Sequence, residues 1–142
     1  MRRERYGWRA NIGIISPGLG STITREWNCV LPEGVAFHHA MLELPHITSE
    51  SLLELRSKVV AEARKLVASG SIDILLFNCT SGSFIGGADY DQTLIRELEE
   101  ATGVPSTTSS TCDLMAFADL RVKSVALIGP YSQELMDLAI KF

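Results

Sequence analysis

The sequence predicts an α/β fold, a flavodoxin-like parallel sheet with helices on both faces. Two patterns carry that reading. Short β-rich apolar runs alternate with helical stretches along the whole chain. The run "IDILLF" is apolar at consecutive positions, as expected of a central strand covered on both faces. A length of 142 residues suits one domain with a single core.

Taken in order, "NIGIIS" (Asn11–Ser16) reads as a first buried strand, cut off by Pro17-Gly18-Leu19-Gly20. "VAFHHAMLEL" (Val35–Leu44) is a second strand, stopped by Pro45. Thr48 or Ser49 caps a long helix running to about Ser69. Its Leu52, Leu55, Val59, Ala63 and Leu66 form one stripe, with Glu54 and Lys58 paired on another face. Gly70 ends it, where a left-handed residue is easily accommodated.

After the central strand, Asp89 to Ala101 reads as a second helix with Leu94, Leu98 and Ala101 on one side and Gly103 behind it. "VPSTTSS" is a short strand or loop, and "TCDLMAFADL" a third helix. "KSVALIG" is another buried strand, broken by Pro130-Tyr131, and "SQELMDLAIKF" begins a last helix. There is no internal repeat and no low-complexity linker. Residues 1–9 form an N-terminal arm on a single lobe spanning 1–142. The last helix stops at Phe142 with no cap after its apolar Leu135, Leu138, Ala139 and Ile140, so the chain is expected to be cut short.

Composition narrows the function classes. Net charge is -4 with both signs interspersed, which argues against a nucleic-acid partner. The one basic cluster, "MRRERYGWR", reads as a solvated arm or leader. No apolar run reaches the length of a membrane span and no signal-like segment follows the arginines, so no membrane partner is expected. Three widely spaced cysteines, Cys29, Cys79 and Cys112, form neither a disulfide framework nor a zinc spacing, and fit a reducing cytoplasm.

In open parallel sheets ligands collect beyond the carboxyl ends of the strands. Those ends read "SPGLGST", "NCTSGSF", "STTSST" and "GPYSQE". They are rich in hydroxyls and glycines, and lack lysine, arginine and histidine. Such a collar suits binding and polarising an anionic oxygen, although any strand-to-helix turn favours these residue types. Cys79 ends the central strand, where a helix N-terminus and hydroxyls would lower its pKa and make it a nucleophile or proton carrier. Residue type alone favours a small buried hydrophobe over a nucleophile. Cys29, in an ordinary connection, and Cys112, early in a helix, fit that plainer role.

Three other readings can be set beside this one. "GLGSTI" is half of a dinucleotide fingerprint, with Glu43 placed where a ribose-binding acid would sit, but the third glycine is absent. His38 and His39 are adjacent on a strand and point to opposite faces, so with His46 they read as strand and surface residues, not metal ligands. Trp8 and Trp27 read as packing residues.

In their order, "GWRANIGIISPGLGSTITREW", "VLPEGVAFHHAMLELPHIT", "NCTSGSFIGGADYD", "ATGVPSTTSST" and "VALIGPYSQEL" resemble the maleate cis-trans isomerase and arylmalonate decarboxylase branch of the aspartate/glutamate racemase superfamily. The resemblance implies two similar α/β lobes with the active site between them, a cysteine from each lobe in the isomerases and racemases, and no metal or cofactor. It makes Cys79 the first-lobe nucleophile that attacks the alkene carbon of a small dicarboxylic acid, so that the bond can rotate before the thiolate is expelled. Thr80 and Ser81, with backbone N–H groups, would hold a substrate carboxylate and its enediolate-like form. Tyr131 would donate to the same carboxylate.

Pro17 and Gly20 would lie on the substrate-binding loop. Gly20 stands where isomerases carry an asparagine in a "PSSNTT" pattern. Decarboxylases lack that asparagine but have glycine where this chain has Cys79. The chain thus combines features of both branches, and decarboxylase or racemase chemistry on a related diacid is the alternative. The family's second lobe is missing, so either another copy or a second lobe would have to complete the cleft. A non-catalytic lobe acting by association is a further alternative. The nucleophile reading predicts that Cys79 alkylates faster than Cys29 or Cys112, and that a dicarboxylate slows the reaction.

Overall fold

Four parallel strands form the sheet in the computed structural model, which describes residues 6–18, 21–87 and 89–142. In chain order the elements are β1 (Ala10–Pro17), α1 (Ser21–Val30), β2 (Val35–Leu42), α2 (Ser49–Ser69), β3 (Ile74–Phe77), α3 (Thr80–Phe84), α4 (Tyr90–Thr102), β4 (Ser106–Thr108), α5 (Ser109–Asp119) and α6 (Gln133–Lys141). The sheet order is β2-β1-β3-β4. Chain progression therefore reverses between β1 and β3, the point at which open α/β sheets leave a crevice beyond their strand ends. Register pairs Ile15 with Ala40 on one side and with Phe77 on the other.

Alternation along the strands divides the core. Ile15, Leu75 and Phe77 join Leu42 and the buried stripe of α2 (Leu52, Leu55, Val59, Ala63), together with Leu94 and Leu98 of α4. Ile14 and Leu76 are buried on the opposite face. There Phe37 of β2 meets Trp27 of α1, with ring centroids 6.3 Å apart. Gly13 packs closely here, since a Cβ there would stand 2.8 Å from Leu75 Cδ2 and the leucine would have to shift.

Helix ends follow from local chemistry. Thr48 caps α2 through a capping box, its Oγ1 accepting from Ser51 N–H while Ser51 Oγ accepts from Thr48 N–H. Gly70 is extended, with φ 180°, not left-handed as expected. The left-handed glycine stop is Gly103 after α4, with φ 71° and its N–H donating to Glu99 O at 2.8 Å. The expected Glu54–Lys58 pair is not formed. Both side chains face solvent, where water competes effectively for such pairs. The ion pairs among the described residues are Lys65–Glu62 and Arg56–Glu97, the latter joining α2 to α4. Arg56 also lies 4.9 Å above the Tyr90 ring.

Two expectations need correction. The connection holding Cys29 is the helix α1. Its signal was the spacing of Ile23, Trp27 and Val30, easily missed among β-branched residues. The run "KSVALIG" does not enter the sheet: residues 122–129 have no strand pairing, and Ile128 is 93% exposed. Its apolar alternation suits a strand, but the sheet ends at the three-residue β4.

Candidate active site

β1 and β3 lie side by side in the sheet, and their carboxyl ends bring Pro17-Gly18 to the same edge as Asn78-Cys79. Asn78 N–H donates to Ile15 O at 2.8 Å, and Gly18 N–H donates to Leu42 O at 3.0 Å. Both turns are thus anchored to the strands beside them. Gly20 lies outside the described residues.

Cys79 is the N-cap of α3, in extended conformation, and is 8% exposed. Its sulfur lies 4.0 Å from Ser81 Oγ. Burial pushes the thiol pKa above its ordinary 9.0, against the lowering pull of the Gly82 backbone N–H and the Ser81 hydroxyl. The expected lowering therefore does not hold: α3 is one turn long, and desolvation outweighs its donors. Cys29 and Cys112 are exposed while Cys79 is buried, so access favours the first two over Cys79 in alkylation.

Hydroxyls fix the turn after Cys79. Ser83 Oγ donates to Thr80 O at 2.8 Å and is itself 2.6 Å from Ser110 Oγ. Ser110 Oγ lies 3.3 Å from the same carbonyl, and Ser109 Oγ donates to Thr80 Oγ1 at 3.5 Å. Ser83 and Ser110 are buried, while Thr80 is exposed and Ser81 is buried beside the sulfur. Tyr131 arrives from the segment before α6, its ring edge-on to Phe84 at 5.9 Å. Burial raises its pKa, and the nearby Cys79 and Asp113 charges raise it further. The fold thus gathers Cys79, Thr80, Ser81 and Tyr131, with Pro17 at the neighbouring strand end.

The supporting roles of Ser83, Ser109 and Ser110 were not legible. Their hydroxyls belonged to two expected collar segments, but the pairing between those segments is tertiary. Beside Thr80 lies an open groove of about 360 Å³, lined by Phe84, Ser110, Asp113, Leu127 and Phe142 among others. His38 and His39 do diverge: His38 Nε2 is 3.1 Å from Asn11 Oδ1, and His39 Nε2 is 2.6 Å from the buried Ser16 hydroxyl. No cluster of three His, Cys, Asp or Glu side chains suited to a metal occurs among the described residues.

The chain is thus a parallel α/β lobe with a cysteine and neutral hydroxyl donors at its switch-point crevice. The arylmalonate decarboxylase family matches residues 12–142, and the chain belongs to that family. It is 31% identical over 131 residues to arylmalonate decarboxylase of Bordetella bronchiseptica, covering 92% of this chain and 54% of the relative. It is 23% identical to maleate isomerase of Pseudomonas putida, covering 92% and 57%. The chain therefore spans about half the length of the curated relatives it matches.

Solved structures agree on the fold. A liganded arylmalonate decarboxylase carrying glycine-to-cysteine and cysteine-to-serine substitutions superposes with a TM-score of 0.84 at 31% identity, covering 94% of this chain and 56% of its own. The maleate isomerase Iso of Pseudomonas putida S16 gives 0.81 at 22% identity, over 92% and 57%. The maleate cis-trans isomerase of Nocardia farcinica, as a cysteine-to-serine mutant with a covalently bound succinylcysteine intermediate, gives 0.80 at 19%, covering 94% and 58%.

Proposed function

We propose that the chain is the first lobe of a cis-trans isomerase-like enzyme acting on a small dicarboxylic acid, with Cys79 as nucleophile. The observation that carries this reading is the placement of Cys79 beside Ser81, Thr80 and Tyr131 at the crevice between β1 and β3. The Cys79 thiolate pair forms a bond to one alkene carbon of the diacid. The π pair moves into the far carboxylate, giving an enediolate whose former double bond rotates. The pair then returns, the C–S bond breaks, and the thiolate leaves the trans product.

Thr80 and Ser81 hydroxyls, backbone N–H groups and the Tyr131 hydroxyl hold the carboxylate as its charge grows, with Pro17 and Gly20 as further substrate-binding residues. Such fixed neutral donors stabilise spreading negative charge without a cofactor. A second lobe or a second copy closes the cleft. Leu114, Met115, Leu120, Val125, Leu127 and Ile128 are exposed, and Leu114, Val125 and Leu127 line the groove, apolar area of the kind a docking face uses. Action in the cytoplasm fits the three free cysteines, and no helix among the described residues is long and apolar enough to cross a membrane.

Decarboxylase or racemase chemistry on a substituted malonate is the second reading, favoured by the higher identity to the decarboxylase. Incubation with maleate and with arylmalonates separates the two by product. Maleate converted to fumarate by the wild type but not by Cys79→Ala supports the first reading. Arylmalonate decarboxylation alone supports the second.

A further inference from the structure

Asp91 is a buried acid that the chemistry above does not use. It is 2% exposed, in the first turn of α4. Its Oδ1 accepts from the Gln92 backbone N–H at 2.7 Å. Its Oδ2 accepts from the Gln92 side-chain amide at 3.3 Å and from the Thr111 hydroxyl. Gln92 Nε2 also donates to Thr111 Oγ1 at 3.0 Å, closing a ring of three side chains. Neither ion pair of the described residues involves Asp91.

Thr111 lies in the first turn of α5, and its N–H donates to the cap oxygen of Thr108 at 3.1 Å. The two residues before it reach towards the Cys79 turn. Ser110 meets Ser83 at 2.6 Å, and Ser109 meets Thr80 Oγ1 at 3.5 Å. Ser83 Oγ and Ser110 Oγ, 2.6 Å apart, both reach Thr80 O, at 2.8 and 3.3 Å, so the two hydroxyls share their protons between that carbonyl and each other. One turn of α5 is therefore held by α4 on one side and holds the Cys79 turn on the other.

An apolar side chain of similar volume generally stabilises a core at least as well as a buried carboxyl group. What a fully satisfied polar network adds is a single fixed orientation. We propose that Asp91 is a positioning residue: by holding Thr111 it fixes the first turn of α5, and through Ser110 and Ser83 it sets the direction in which Cys79, Thr80 and Ser81 face a ligand. The ligand arm of its test rests on the function proposed above; the remainder does not.

The experiment compares Asp91→Asn, Thr111→Val and Thr111→Ser in the 142-residue chain, with Leu98→Ala as a control that loosens the α4 core outside the network. Cys79 alkylation by iodoacetamide is mapped by peptide mass spectrometry across pH, with and without maleate, and urea unfolding is followed in parallel. Asp91→Asn and Thr111→Val are expected to weaken maleate protection about tenfold, the scale on which small misplacements act. They also move the pH profile of Cys79 upward, since the Ser81 and Gly82 donors that lower its pKa are displaced. Tyr131 and Asp113, the titrating neighbours on that side, are common to all variants.

Thr111→Ser restores both readouts, and Leu98→Ala changes stability without changing either. Wild-type protection and pH profile in Asp91→Asn and Thr111→Val overturn the proposal, as does Leu98→Ala reproducing their changes. If maleate fails to protect even the wild type, the proposed function is wrong, and the pH profile alone decides the role of Asp91.

Discussion

A Cβ placed on Gly82 would meet Cys79 Sγ at 2.9 Å and Phe77 Cζ at 3.1 Å, where ordinary contact begins at 3.4 Å. Gly82→Ala therefore presses on the sulfur and on a core ring at once. Phe77 is 1% exposed and fixed among β1, α2 and α4 neighbours, so it cannot yield freely. The sulfur must retreat by roughly 0.5 Å, and overpacking of this kind costs about 1–3 kcal/mol. Alanine's better helix propensity returns up to about 1 kcal/mol, leaving a net loss of about 0–2 kcal/mol when that return is full. The displaced sulfur should also lose Ser81 and Gly82 as donors, slowing its alkylation and any turnover by about tenfold or more.

Urea unfolding reads the stability change, and mapped alkylation with the maleate assay reads the site. Adding Phe77→Leu relieves the ring contact but not the sulfur contact. The double mutant should recover stability relative to Gly82→Ala without recovering reactivity. Unchanged stability together with wild-type Cys79 reactivity in Gly82→Ala would refute the packing of α3 described above.

Other outcomes follow from the same geometry. Near pH 7 iodoacetamide should modify Cys29 and Cys112 before Cys79, whose rate keeps rising past pH 9.0 because burial raises its pKa; peptide mapping over a pH series checks this. Burial lowers the His39 pKa below 6.5, so the unfolded chain binds more protons in the window just below that value. Stability should be full above pH 6.5 and fall as pH drops through the folded value, a slope that His39→Gln flattens in urea titrations. Arg56→Ala removes the Glu97 pair and the stacking on Tyr90, and should cost about 1 kcal/mol after allowance for solvent screening, less at high salt. Exposed apolar side chains such as Leu120 and Ile128 predict self-association of the chain, and Ile128→Lys should reduce it in sedimentation velocity.

Much of the fold was legible because its signals are local. The stripe Leu52–Leu55–Val59–Ala63, the Thr48 cap and the uninterrupted "ILLF" strand each specify their element from neighbours in sequence. α1 escaped because Thr22, Ile23 and Thr24 weaken the helical signal that Trp27 completes only by reaching Phe37. "KSVALIG" misled because its apolar alternation specifies a strand but not which sheet receives it. At the site, the cysteine and hydroxyls could be read from "NCTSGSF". The sign of the Cys79 shift could not, since it depends on desolvation by Phe77 and the surrounding core. Asp91 carries no local signal, since only the meeting of α4 with α5 brings it to Thr111.

The central claim is that Cys79 bonds to the diacid. Incubating the wild-type chain with maleate at mildly alkaline pH and mapping its peptides by mass spectrometry tests this directly. Thiolate addition followed by protonation of the neighbouring carbon would leave a succinyl thioether on the peptide carrying Cys79, absent from Cys79→Ser. Addition confined to Cys29 and Cys112, with Cys79 unmodified and no fumarate formed, would contradict the account.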